Sequence, residues 1–289
     1  TPHLFHENAT NPHRWACNGE IYLCLSSLEH NAPWLRKIWI VVDDQSPDLS
    51  RLSVALQAKI HLVDHTEIFA NHGASLPTFN SLAIETFLWN IPGLSDRFIY
   101  FNDDVFLTAP CQEADFFTKN GPILRGAWAD FSALQDDPVQ MADPAKFNHY
   151  MQLNAAGLCG MPSQRLFRTA HVAHPCLRLT MAQLHSRFNA AFRNNARYQM
   201  RDIRQFSPQS LYNHACILHK TAKLHPVKDH HHIYSGQGVG AADGTIPALL
   251  QNLRETPGLK MLCVNDLPQL EALYPDIRSW LAQLLTGAP

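Results

Sequence analysis

The chain predicts an α/β fold, with a mostly parallel sheet as its core and an appended helical part. Three observations carry that expectation. Short apolar runs of strand length stand at Ile38–Val42, Ile60–Val63 and Phe98–Phe101. Helical patterns separate them. The runs end in Asp43-Asp44, in Asp64-His65 and in Asn102-Asp103-Asp104, and open α/β sheets place their chemistry at such carboxyl ends.

Taken in order, Asn18 to His30 reads as a helix with Ile21, Leu25 and Leu28 on one side and Asn18 as its cap. Ile38–Val42 follows as a strand, Leu49 to Ala58 as a short helix, and Ile60–Val63 as a second strand with the polar exit Asp64-His65-Thr66-Glu67. Strand, helix, strand is the beginning of a parallel sheet. From Phe79 to Trp89, Leu82, Glu85 and Trp89 share a helical face, while Asn80 and Ser81 in the first turn can meet an anion beside free backbone N–H groups.

The stretch Arg97–Leu107 organises the rest. Apolar residues bracket Asn102-Asp103-Asp104, as in a buried strand that delivers polar groups at its carboxyl end. Adjacent carboxylates repel and are costly to desolvate, which suits a cation or a proton to be moved. The competing reading is a plain turn, which all three residue types favour.

From Cys111 to Phe147 the pattern weakens into turns and a surface excursion. His149 to Leu158 reads as helical, and Thr180 to Phe192 as an amphipathic helix with Met181, Leu184, Phe188 and Phe192 on one face. Arg193, Arg197, Arg201 and Arg204 recur at helical spacing, either as a phosphate-binding stripe or as a solvated face. Ser207 to His219 is a further helix with Leu211, Ala215 and Leu218 inward. His230-His231-His232 reads as a surface loop rather than a metal site, since adjacent residues rarely converge on one ion. Gly236, Gly238 and Gly240 make a loop without the spacing of a dinucleotide fingerprint. Lys260–Val264 is a short strand with an Asn265-Asp266 exit, and helices from Leu267 to Leu285 close the chain.

At 289 residues there is room for a large core, and 23 Lys+Arg against 25 Asp+Glu give no support for binding nucleic acid or an anionic surface. The seven cysteines are dispersed and contain no C-x-x-C, which favours a reducing compartment over a disulfide framework or zinc ribbon. No apolar run approaches a membrane span, and Thr1 to His6 lacks a secretory pattern.

Gly19-Glu20-Ile21 to Glu29, Ala32 to Ile38, Asp43-Asp44-Gln45-Ser46-Pro47, Asp64-His65, Pro77-Thr78-Phe79-Asn80-Ser81, Ile84-Glu85, Ile91-Pro92-Gly93-Leu94 and Phe98 to Phe106 together resemble the second signature region of the Stealth family of sugar-1-phosphate transferases. His171 to Pro175 and Arg201 are similar to the third region, and Leu262 to Asp266 to the fourth. The family's first region, an apolar strand ending in an acidic loop, belongs before Glu20, and nothing from Thr1 to Gly19 resembles it.

The resemblance implies a Rossmann-like nucleotide-sugar transferase core in a single domain spanning 1–289. Within it lie an α/β core (18–120), a helical part (145–225) and a C-terminal strand with helices (258–289). It implies transfer of a hexose-1-phosphate from a UDP-sugar to a saccharide hydroxyl with release of UMP, in capsular or cell-surface polysaccharide synthesis. Asp103 and Asp104 would hold Mg²⁺ or Mn²⁺ or orient the acceptor, and His171 or His174 would move its proton. Arg201 would stabilise the phosphate charge, with Asn80, Ser81, Asn102 and Arg197 as donor contacts. The expected setting is the bacterial cytoplasm, with peripheral membrane association through further segments as an option. The alternatives are a glycosyltransferase that releases UDP and a noncatalytic sugar-binding remnant.

Overall fold

A computed structural model describes residues 18–70, 72–73, 75–233, 245–265 and 267–287. The amino-terminal stretch, Gly236 to Gly240 and Asp266 lie outside these described residues.

The first half of the chain contains α1 (Glu20–Asn31), β1 (Ile38–Val42), α2 (Val54–Gln57), β2 (Ile60–Asp64), α3 (His65–Ile68), α4 (Ser81–Glu85), β3 (Arg97–Tyr100), β4 (Val105–Leu107), β5 (Phe117–Thr118), β6 (Gly121–Leu124), β7 (Gly126–Ala129) and α5 (Pro138–Ala142). Then come α6 (Phe147–Cys159), β8 (Leu166–Thr169), β9 (His174–Leu177), α7 (Arg178–Arg187), α8 (Asn189–Asn195), α9 (Pro208–Leu218), β10 (Lys223–Leu224), β11 (His230–Ile233), α10 (Thr245–Glu255), β12 (Met261–Val264), α11 (Leu267–Leu273) and α12 (Ile277–Thr286).

The α/β class holds, but the mostly parallel sheet does not. β1 pairs with β2, β10 with β6 and β11 with β12 in parallel. β12 with β4, β3 with β9, β5 with β6 and β7 with β8 are antiparallel. These pairings form small mixed sheets. The stretch Arg97–Leu107 splits at its polar trio, so β3 and β4 belong to different sheets. Asn102 carbonyl accepts from Val105 N–H at 3.2 Å, so the trio is both a strand exit and a turn.

Two apolar cores flank β1 and β3. Ile38, Ile40, Ile99 and Phe101 pack on the core built from α1, α10, α11, α12, β4 and β12. Trp39, Val41, Phe98 and Tyr100 pack on the other, built from α4, α7, α8, α9 and β9. This period-two alternation puts β1 and β3 in one layer. Arg36 Nη2 reaches Ser95 Oγ at 3.3 Å just before both strands. They therefore start together, and their acidic exits lie at the same end of the layer.

Local chemistry adjusts several expected boundaries. α1 is capped by Gly19 in a left-handed conformation, φ 77°, rather than by Asn18. The Leu49 to Ala58 helix is a 3₁₀ turn followed by the short α2. Asp64 and Glu67 form a capping box that turns the expected polar exit into the start of α3. Thr180 to Phe192 breaks at Phe188, φ −115° and ψ 35°, into α7 and α8. Leu218 is 45% exposed at the end of α9, not inward. The arginine stripe has no common helix, because α8 ends at Asn195 and Arg197, Arg201 and Arg204 follow it in irregular chain.

The histidine triplet is the strand β11, not a surface loop. Just before it, the buried Asp229 accepts from Arg125 Nε at 2.8 and 3.0 Å and from Arg125 Nη2 at 2.7 Å. Asp229 carbonyl also accepts from Lys260 N–H at 2.8 Å, so this ion pair ties β6 and β7 to the start of both β11 and β12. No helix among the described residues is long and apolar enough to cross a membrane.

Candidate active site

The exits of β1 and β3 open into one cleft of about 2060 Å³. Asp43, Asn102, Asp103 and Asp104 line it, and His171, Arg201 and His232 reach it from far downstream. The two strands share no ladder hydrogen bond, and every residue of β1 is only half-buried although helices cover both faces of the layer.

Asn102, His171 and Asp104 form the centre. Asn102 Nδ2 lies 2.7 Å from His171 Nε2, and that nitrogen lies 3.5 Å from Asp104 Oδ1. Asp104 Oδ2 accepts from Asn265 Nδ2 at 2.5 Å, whereas Oδ1 is buried with no hydrogen-bond partner. A buried unpaired carboxylate oxygen is costly, and a cation is the ordinary remedy. Asp103 is exposed at the cleft, where partial desolvation and then the neighbouring Asp104 push it up to about 6. Burial pushes Asp104 up to about 6 against the opposing influence of His232. A hard divalent ion fits such a pair, because it favours the ionised form that the cleft otherwise disfavours.

His171 is pushed down to about 4 by burial and by Arg201, so its imidazole is neutral at neutral pH. Arg201 donates from Nη2 to Ser81 Oγ at 2.5 Å. Burial lowers its pKa while Glu85, Tyr100 and Asp104 oppose that fall. Here α4 supplies two functional side chains from one short turn. Ser81 opens onto the cleft, and Glu85 is buried behind it, pushed up to about 7 by burial despite Arg201, Tyr100, Gln209 and Ser81. Tyr100 hydroxyl links the carboxylate of Glu85, at 3.1 Å, to the side chain of Asn102.

Of the residues expected from sequence, Asp103, Asp104, Asn102, Ser81, His171 and Arg201 meet in this cleft. Three do not. Asn80 is fully buried, its Oδ1 accepting from Leu82 N–H at 3.1 Å and its Nδ2 donating to Tyr198 carbonyl at 2.9 Å and Gln205 Oε1 at 2.8 Å. Its amide is committed to holding the start of α4, not to a donor. His174 sits within β9 opposite Tyr100, stacked on that ring with centroids 6.2 Å apart, and burial pushes it down to about 3. Arg197 is exposed and lines no part of the cleft.

Glu85, His232, Cys263 and Asn265 are the neighbours that sequence reasoning did not select. Glu85 had a signal, namely a carboxylate on the apolar face of a helix beside Leu82. His232 Nε2 lies 2.6 Å from Asn265 Oδ1, so Asn265 bridges His232 and Asp104.

Residues 14–124 match the family model described as Stealth protein CR2, conserved region 2. An exopolysaccharide phosphotransferase of Streptomyces coelicolor is 31% identical over 272 residues, 93% of this chain and 43% of that protein. A capsular polysaccharide phosphotransferase of Neisseria meningitidis serogroup B is 41% identical over 113 residues, 39% of this chain and 29% of that protein. The chain thus spans less than half the length of these relatives. Among solved structures, apo mouse xyloside xylosyltransferase 1 superposes with a TM-score of 0.41 at 12% identity over 90% of this chain and 95% of that one, too weak a likeness to assign a fold.

Proposed function

This chain belongs to the Stealth family, and we propose that it transfers a hexose-1-phosphate, such as an N-acetylhexosamine-1-phosphate, from a UDP-sugar to a saccharide hydroxyl. The acceptor oxygen attacks the phosphorus next to the donor sugar, the bond from that phosphorus to the UMP oxygen breaks, and a phosphodiester remains. Phosphoryl transfer needs in-line positioning and charge neutralisation more than covalent help. The relatives named as exopolysaccharide and capsular polysaccharide phosphotransferases support a place in cell-surface polysaccharide synthesis.

One observation carries this reading. A neutral imidazole, two adjacent carboxylates and a half-buried guanidinium, from segments far apart in sequence, converge in one cleft. His171 Nε2 takes the proton of the acceptor hydroxyl. Arg201, hydrogen-bonded to Ser81, faces the developing phosphate charge, and the field of the Glu85 carboxyl supports its charged form. An incoming pyrophosphate offsets the field of Arg201 and draws His171 back toward its ordinary range, so the base strengthens when donor is bound. Asp103 and Asp104 would hold Mg²⁺ or Mn²⁺, which when bound neutralises phosphate charge.

A panel of UDP-sugars with the full-length protein, Mg²⁺ and acceptor saccharides tests this, with nucleotide products separated chromatographically. UMP release that falls at least 100-fold in Asp103→Asn supports the reading. UDP as the nucleotide product would replace it with glycosyl transfer.

A further inference from the structure

We propose that His171, His232 and Cys263, with Asp104 as the fourth donor, form a binding site for a borderline-soft divalent transition metal of the Zn²⁺ or Co²⁺ kind. Each of the first three offers a ligand atom within 4.8 Å of the others. Asp104 Oδ1, the buried oxygen without a hydrogen-bond partner, lies 3.5 Å from His171 Nε2. Metal–ligand bonds of about 2.0–2.3 Å in a tetrahedron place donor atoms roughly 3.3–3.8 Å apart. Closing the set therefore needs side-chain shifts of about 1 Å, not backbone rearrangement.

The donor chemistry selects the ion. Two imidazoles and a thiolate suit Zn²⁺ and Co²⁺, while Mg²⁺ requires oxygen ligands. The site thus adjoins the carboxylate pair Asp103–Asp104 and shares one residue with it, but recognises a different class of metal.

The scaffold is rigid where a metal site needs it to be. His232 and Cys263 are directly paired across the parallel strands β11 and β12. Asp104 carbonyl accepts from Val264 N–H at 2.9 Å, which fixes the fourth donor to the same sheet. Strand alternation turns His231 to the other face, and His230, on the same face as His232 but two residues back, keeps its Nδ1 3.5 Å from Asp229 Oδ1, so His232 alone of the three joins the cluster and the objection that adjacent residues rarely share an ion does not apply. The rings of His171 and His232 stand at 76° with centroids 5.3 Å apart, so neither blocks the other. Asn265 touches two of the ligands at once, Asp104 and His232, in the manner of outer partners that orient metal ligands.

On binding, a metal–sulfur bond forms and the Cys263 thiol proton leaves to solvent, with no change of oxidation state. Loading would also occupy His171 and Asp104 and so silence the phosphoryl transfer proposed above. That consequence rests on the proposed function, whereas binding does not.

The test is a Co²⁺ titration of the full-length protein, reduced and stripped with chelator, followed by absorption. One equivalent giving tetrahedral d–d bands with a thiolate-to-metal charge-transfer band is the expected result, with Zn²⁺ bleaching both. Cys263→Ser should abolish the charge-transfer band, His232→Ala should weaken Co²⁺ binding at least tenfold, and Cys111→Ser should change neither. Absence of the charge-transfer band, its persistence in Cys263→Ser, or displacement of Co²⁺ by Mg²⁺ as readily as by Zn²⁺ would overturn the proposal.

Discussion

Replacing Asp104 by Asn should make the metal-free protein more stable while removing activity. The carboxyl of Asp104 is raised from 3.8 to about 6 chiefly by burial. A folded-state value above the unfolded one means that the stability contribution is complete below the unfolded value and is lost as pH rises through about 6. The full difference sets a ceiling of about 3 kcal/mol at pH 8. The side chain is 21% exposed and shares its field with Asp103, so a gain of about 1–2 kcal/mol is the working expectation. Asn keeps an oxygen to accept from Asn265 and exchanges the unpaired Oδ1 beside His171 for an unpaired but uncharged amide, which keeps the gain below the ceiling. Urea denaturation in chelator is the assay, and the gain should be largest at pH 8 and about half as large at pH 5. A variant that is less stable at pH 8, or whose gain does not shrink toward pH 5, would refute the reasoning and make Asp104 an ordinary turn residue.

Three further outcomes follow from the geometry. His171→Ala should lower transfer by about 10²–10⁴-fold, whereas His174→Phe, inside the layer against Tyr100, should keep turnover close to wild type per folded molecule; the opposite pattern in steady-state kinetics would exchange their roles. Asn80→Ala should cost about 1–2 kcal/mol in denaturant midpoint experiments with donor KM unchanged, and a tenfold rise in KM would restore it as a donor contact. Arg125→Met should cost about 3–5 kcal/mol by leaving Asp229 buried without its counter-charge, and Asp229→Leu in the same chain should recover much of that loss.

The acidic heart of the site was legible because polar residues at the end of an apolar run are unusual locally, whatever the run pairs with. What the run pairs with was not legible. β3 meets β9 and β4 meets β12, strands that arise from far downstream, so the direction of pairing is a tertiary outcome. The same distance explains Asn80, whose favourable position at a helix start said nothing of Tyr198 and Gln205 waiting to saturate its amide. Spacing misled at Phe188, since Leu184 and Phe192 keep their inward faces through the break in the helix. The arginine stripe failed because a periodicity needs a continuous helix, and only Arg201 turns inward to Glu85 and Ser81. Reading the histidine triplet as a loop hid His232, which strand alternation turns away from His231 and toward Cys263.

Which bond of the donor breaks decides the account. A UDP-sugar carrying radiolabelled phosphorus only at the phosphate next to the sugar, incubated with the full-length protein, Mg²⁺ and an acceptor saccharide, reports this directly. Phosphoryl transfer places the label in the saccharide product as a phosphodiester and leaves UMP unlabelled. Label recovered wholly in UDP, with an unlabelled glycoside as product, would contradict the account.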